Sequence, residues 1–204
     1  MRARQEGVDQ TRLRITEATM RLHEQVGPAA TTVSAVADLA GVTRLTVYRH
    51  FPDEESMVRA CSGHWRALHP GPDSAAWASI DDPAQRLQAA LSETYAWARR
   101  AAPMLTNIYR DLHLMPAFVS ESLSREQQSW VAILGKDFPA SGRRARRLRA
   151  ALAHAVDFRT WHSLCVLGGL RDDEASQLML AAVSAVVQTP APQSSGEPQP
   201  ARAR

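Results

Sequence analysis

Residues Thr31 to Arg59 read TTVSAVADLAGVTRLTVYRHFPDEESMVR, and this stretch decides the fold. Thr32 is a helix-capping residue followed by Val33, Val36, Ala37 and Ala40, an apolar set at helical spacing that Gly41 closes. Thr43 caps a second short helix, with only Gly41-Val42 between the two. Two short helices joined at a glycine turn, the second carrying threonine, arginine, tyrosine and histidine on its outer face, make a unit that can lay the second helix in a DNA major groove. The alternative is an αα-hairpin of an ordinary bundle, but such hairpins seldom carry so short and so polar a second helix.

Working outward, Leu13, Ala18, Met20, Leu22 and Val26 form an amphipathic helix that Gly27-Pro28 stops, since glycine suits a left-handed C-terminal position and proline cannot continue a helix. After Phe51-Pro52, the acidic run Asp53-Glu54-Glu55 suits a helix N-terminus, and that helix is predicted to reach about His69, where Pro70-Gly71-Pro72 breaks it. Asp82-Pro83 opens a helix through Leu87, Leu91, Tyr95 and Ala98 that should stop before Pro103. A short helix from Pro103 to about Leu114 follows, and Pro116 opens another that Gly135 closes. Leu148, Leu152, Ala155, Phe158, Trp161 and Cys165 predict one helix ended by Gly168-Gly169, and Asp172-Asp173-Glu174 open the last. No run of period-two alternation calls for a strand. The expected fold class is all-α: a three-helix head at 9–68, which includes the connecting helix, a helical bundle at 69–189, and a disordered proline- and serine-rich tail at 190–204.

The chain has 204 residues, 45% of them hydrophobic, enough to build real cores. The longest nearly apolar run, Leu178 to Val187, falls short of the roughly 18 residues a membrane-spanning helix needs. The opening MRARQEGVDQTRLR has no apolar core of a secretory signal, so a cytoplasmic location is expected, at the nucleoid when bound to DNA. Cys61 and Cys165 are too few for a disulfide framework and read as core thiols. Net charge is +3, but residues 1–66 hold nine arginines against eight acids, whereas residues 140–171 hold seven arginines against Asp157 alone. The overall basicity therefore says nothing about the head. Glu-x-x-His, His-Glu-x-x-His, the Walker loop and Gly-x-Ser-x-Gly are all absent, and His154 and His162 lie too far apart on one helix to share a ligand. No catalytic residue, metal or cofactor is expected, and the enzyme reading has no positive support.

Thr32-Val33, Val36-Ala37, Ala40-Gly41-Val42-Thr43, Thr46-Val47-Tyr48, His50-Phe51 and Met57-Val58 resemble, in order and spacing, the signature of the tetracycline-repressor (TetR) family of bacterial transcription regulators. The resemblance covers some thirty residues; the later chain is similar only in length and helical pattern. It implies that Thr43 to His50 is a recognition helix whose exposed first turn, Thr43, Arg44, Leu45 and Thr46, reaches base edges, with Arg44 the principal base reader. It implies phosphate contacts for Tyr48, His50 and Thr32, while Arg49 could face either groove or solvent. One position departs from the family: a lysine that usually opens the next helix is Glu54 here, which removes a phosphate contact, although Arg2, Arg4, Arg12 and Arg14 form a candidate basic arm.

The resemblance further implies a homodimer, double-stranded operator DNA as partner and a small-molecule effector held in the bundle. Trp97, Met104, Ile108, Tyr109, Leu112, Phe118, Trp130, Phe158 and Trp161 are the candidate pocket residues, with plain core packing as the alternative for each. The last two helices, with Leu152, Ala155, Ala175, Met179, Ala182, Val183 and Val186, are the expected dimer face. Arg143, Arg144, Arg146, Arg147 and Arg149 crowd a helix start, to be explained by solvation, by pairing with Asp172-Asp173-Glu174, or by an anionic effector. A bundle-type binding protein or enzyme with a degenerate head is the competing reading, for which Glu54 is the hint.

Overall fold

The computed structural model describes residues 2–188, with side chains from residue 6 onward. The 190–204 tail and the side chains of Arg2 and Arg4 lie outside the described residues. Among the described residues every regular element is helical. Helix α1 (Arg2–Gln25) starts well before the expected amphipathic stretch. Its core face is Ile15, Ala18, Thr19 and His23, whereas Leu13 and Val26 are exposed, because the pattern that included them is rotated relative to the face that meets the head. Helices α2 (Val33–Ala40) and α3 (Arg44–His50) follow as expected, with the Thr32 and Thr43 hydroxyls accepting from the Ala35 and Thr46 amides. Gly41 sits between them at φ 64°, a left-handed conformation that glycine adopts without strain. The Asp53 carboxylate caps α4 (Glu54–Leu68). Ile15, Val36, Ala37, Val47, Phe51 and Met57 form the small core that fixes the crossing angle of the head helices.

A second, larger core begins at Trp65 of α4 and fills the body. The short helix α5 (Ser74–Ala78), which the sequence reading missed, is capped by Asp73 and buries Trp77. Helix α6 (Pro83–Asp111) runs straight through Pro103, so the two helices expected there are one. Its apolar stripe of Leu87, Leu91, Ala98, Ala101 and Leu105 keeps its period across the proline. Pro103 itself is exposed, so the carbonyl it leaves unbonded lies on the solvent side. Helix α7 (Ala117–Gly135) matches expectation. The single helix expected up to Gly168 is broken: α8 (Gly142–Ala155) ends at Val156, Asp157 caps α9 (Phe158–Trp161), and a π-turn (His162–Leu167) follows. Helix α10 (Asp172–Gln188) packs against α6 and α8. The carboxylates that open α10 bond to Arg99, Trp161 and Arg171, so they are not partners of the arginine cluster on α8.

One charged side chain organises the body from within. Arg86, 1% exposed, donates to the carbonyls of Ile80, Asp81, Ile133 and Lys136 and to the Asp137 carboxylate, tying the start of α6 to the end of α7. All of its donor groups are engaged, which is what makes a buried guanidinium tolerable. Arg86→Met keeps the stem but leaves those carbonyls without a donor; the expected loss is on the order of 3 kcal/mol or more, read as a lowered midpoint in urea unfolding.

Candidate nucleic-acid interface and body cavity

Thr43, Arg44, Leu45, Tyr48 and Arg49 are all exposed on one side of α3, and Leu45 is 70% accessible although apolar. Thr46 and His50 are half-buried. Val47 alone points into the head core. Thr43 and Thr46 share a hydroxyl–hydroxyl bond of 2.9 Å at the helix start, and Thr32 lies exposed at the start of α2. Both helix N-termini thus present backbone N–H groups and hydroxyls toward solvent, an arrangement that receives phosphate oxygens. Arg12 does not belong to a loose arm: it donates to the His50 carbonyl at 2.6 Å and stacks over the Phe51 ring, closing the C-terminus of α3 from α1. Glu54 is exposed at the start of α4, while Glu55 pairs with Arg59.

Behind the head, a cavity of about 190 Å³ lies between α1, α4, α6 and α7. Of the expected pocket residues, Trp97, Met104, Ile108 and Phe118 line it. Trp97 also lines an adjoining chamber of about 30 Å³, together with Tyr109, Trp130, Phe158 and Trp161. Leu112 lines neither, because it falls on a 3-10 turn beyond the end of α6 (Leu112–Leu114). The sequence reading missed the wall from α4: Cys61, Ser62, Trp65, Arg66 and His69. The signal was there in Met57, Cys61 and Trp65, spaced four apart, a stripe that leaves the head core and faces the body. Trp65 stacks on His69 and meets Trp97 edge-on, and Arg66 reaches Glu126 across the cavity mouth at 3.3 Å.

The expected dimer face needs correction. Leu152, Ala155, Ala175 and Val183 are 0–1% exposed within one protomer, because α8 and α10 spend those positions on each other and on α6. Met179 and Val186 are half-buried, and Ala182 is exposed. The outward stripe of α10 is instead Leu178, Ala181, Ala182 and Ala185.

Head and body are joined by more than α4. Asn107 of α6 donates to the carbonyls of His23 and Glu24, Arg110 donates to that of Val26, and the Ala29 amide donates to Asp111. Arg110 holds the buried Asp111 carboxyl down at about pKa 2. Gly27, at φ 91°, passes so close that a Cβ there would strike Arg110 and Asp111.

These features define an all-α protein with a helix-turn-helix head and a cavity-bearing helical body. The sequence model of the bacterial regulatory proteins of the tetR family matches residues 15–61. Over 60 residues the chain is 40% identical to the HTH-type transcriptional regulator TtgR of Pseudomonas putida, a match covering 29% of each chain. The matched segment thus spans under a third of that curated relative. A TetR-like transcriptional regulator from Rhodococcus sp. RHA1 has the same fold at 16% identity and TM-score 0.56, over 86% of this chain and 94% of that one. The transcriptional regulator SCO7518 of Streptomyces coelicolor A3(2) does so at 21% identity and TM-score 0.56, over 88% and 99%. Residues 15–61 are thus similar to the helix-turn-helix segment of the tetR family, and the chain as a whole shares the fold of these two solved structures.

His23 sits where α1, the cavity and the α6 contact meet, with its Nδ1 3.7 Å from the Cys61 thiol. Burial lowers its pKa to about 4, against a smaller opposing pull from Asp111, and burial pushes the Cys61 thiol up to about 12, so both are neutral near pH 7. In the unfolded chain His23 takes up its proton near pH 6.5, so between the two values the unfolded chain binds more protons and acidification favours it. Stability should be full above pH 7 and lower by about 2 kcal/mol at pH 5. His23→Gln should flatten that dependence in urea titrations at the two pH values.

Proposed function

We propose that the chain is a homodimeric, ligand-responsive transcriptional regulator, a repressor that holds a palindromic operator in double-stranded DNA until a small molecule releases it. In this reading residues 9–68 bind DNA, residues 69–189 sense and dimerise, and the protein works in the cytoplasm, at the nucleoid when bound, as a regulator rather than as an enzyme. The observation that carries it is the dual use of α4, whose first half packs under the recognition helix while Trp65, Arg66 and His69 on its second half wall the cavity. A ligand there needs only different affinities for two body conformations, coupling worth typically about 1–3 kcal/mol, to change the tilt of α4. The two recognition helices would then leave the roughly 34–36 Å separation of successive major grooves.

Arg44 is the base reader, and Tyr48, His50 and Thr32 are phosphate contacts. In gel-shift titrations on palindromic DNA from the gene's own upstream region, Arg44→Ala should cost about 1–3 kcal/mol and relax specificity, whereas Tyr48→Ala should weaken all sequences alike. Equal operator affinity for wild type and both variants would overturn the assignment.

Dimerisation is assigned to the outward stripe of α10, with a buried area on the order of 1,600 Å² or more. Ala182→Arg should give folded monomers in sizing experiments. Val183→Arg places a guanidinium in the protomer core and should instead unfold it, by on the order of 3 kcal/mol or more in thermal melts. A wild type that runs as a monomer at micromolar concentration would sink the dimer reading.

A further inference from the structure

The two chambers behind the head differ in chemistry. The outer one has an aromatic and apolar wall of Trp65, Trp97, Phe118, Met104 and Met115, which suits a flat hydrophobic ring system, with the Arg66–Glu126 pair as its charged part. The inner one, of about 30 Å³, has room for the polar end of a ligand and little else. It is lined by two groups that lack a protein partner: the Thr94 hydroxyl and the Trp97 indole N–H, both buried and one turn apart on α6. An indole N–H can only donate, so the group that satisfies it must accept. Leaving such groups unmet inside a protein costs free energy that a ligand acceptor recovers.

Charge narrows the class further. The carboxylates at the inner chamber are Glu126 and Asp157, and each already holds an arginine, Arg66 and Arg159 respectively. A cationic ligand would have to compete with those arginines, and an anionic one would meet the two carboxylates. On the cation side, Arg66 in the wall of the outer chamber is already paired with Glu126, and His23 at its edge is neutral at physiological pH, so neither offers a free positive charge to an anion.

We propose that this cavity takes an uncharged, planar aromatic carbonyl compound, its rings between Trp65, Trp97 and Phe118 and its carbonyl oxygen directed at the Trp97 N–H and the Thr94 hydroxyl. The assignment rests on the reading of the body as a sensor and names the class of molecule it senses. Trp97 stands between the chambers and is the specificity determinant: its ring packs the aromatic part and its N–H selects the acceptor.

The test is calorimetric titration of the full chain with three probes of one shape: 2-acetylnaphthalene, 2-ethylnaphthalene, which lacks the acceptor, and 2-naphthoate, which is anionic. The ketone should bind on the order of tenfold more tightly than the ethyl compound, the expected worth of matching buried donors. Thr94→Val, which keeps shape, and Trp97→Phe, which removes the N–H together with one ring, should each weaken the ketone by a larger factor than 2-ethylnaphthalene and so shrink that preference. Equal wild-type affinity for ketone and ethyl probe overturns the proposal, as does tightest binding of the naphthoate or of a cation such as tetraphenylphosphonium, or a preference that survives both substitutions. Because binding is read directly, a ketone that binds with this preference yet leaves DNA affinity unchanged supports the ligand class while overturning the sensor reading.

Discussion

The end of α1 is the point on which the arrangement of head and body turns. A helix leaves its last carbonyls without intrahelical donors, and inside a protein such groups must be satisfied from elsewhere. Here the donors come from the body: Asn107 takes the His23 and Glu24 carbonyls, and Arg110 takes that of Val26. The glycine that ends α1 is required twice, by its positive φ and by the closeness of Arg110 and Asp111. Head orientation is therefore fixed by hydrogen-bond stoichiometry at α1 and α6 as well as by the continuity of α4. Met104, Leu105 and Ile108, which line the cavity, lie within a turn of Asn107 on the same helix. Under the proposed function, a ligand that displaces this part of α6 acts on α1 directly, so the lever has two arms rather than one.

Local chemistry was legible in the sequence wherever a residue acts on its own neighbours. The caps at Thr32, Thr43, Asp53 and Asp82, the turn at Gly41 and the small head core all follow from residue type and spacing. Legibility failed where packing overrides punctuation. Pro103 reads as a stop, yet the stripe from Leu87 to Leu105 buries one continuous face, and the proline costs little where its freed carbonyl meets water. The opposite failure lies at Val156, inside an apolar pattern that looks unbroken. Asp157 caps the next helix, pairs with Arg159 and accepts from Gln127 of α7, and those long-range bonds turn the chain where periodicity alone carries it on.

The sites divide in the same way. The exposed face of α3 is a local feature of a seven-residue helix, and its side chains are those the spacing put there. The cavity is assembled from four helices, so its aromatic residues could be named but not sorted between chambers, and the α4 wall was overlooked. Four residues of the expected dimer face are buried for a different reason: α10 is apolar on two sides. Alanine and valine do not declare whether they meet their own core or another chain, and only the packing of α10 on α6 and α8 separates Ala175 and Val183 from Leu178 and Ala182.

Arg12 shows how the head distributes its modest charge. Counted in the sequence, it is one of the cations that offset the acids of the head; in the structure its guanidinium covers Phe51 and bonds the last carbonyl of α3. A cation at a helix C-terminus opposes the negative end of the backbone dipole, so the charge of Arg12 stabilises α3. Glu55 likewise holds Arg59, whose guanidinium lies over Phe118 of α7 at 3.9 Å. Both arginines are thus committed to holding the geometry of the head, internally in one case and against the body in the other. Under the proposed function, base and phosphate contacts then fall to Arg44, Tyr48, His50, Arg49 and the N-termini of α2 and α3, which makes the rigidity of this small head, rather than its net charge, the quantity that DNA recognition depends on.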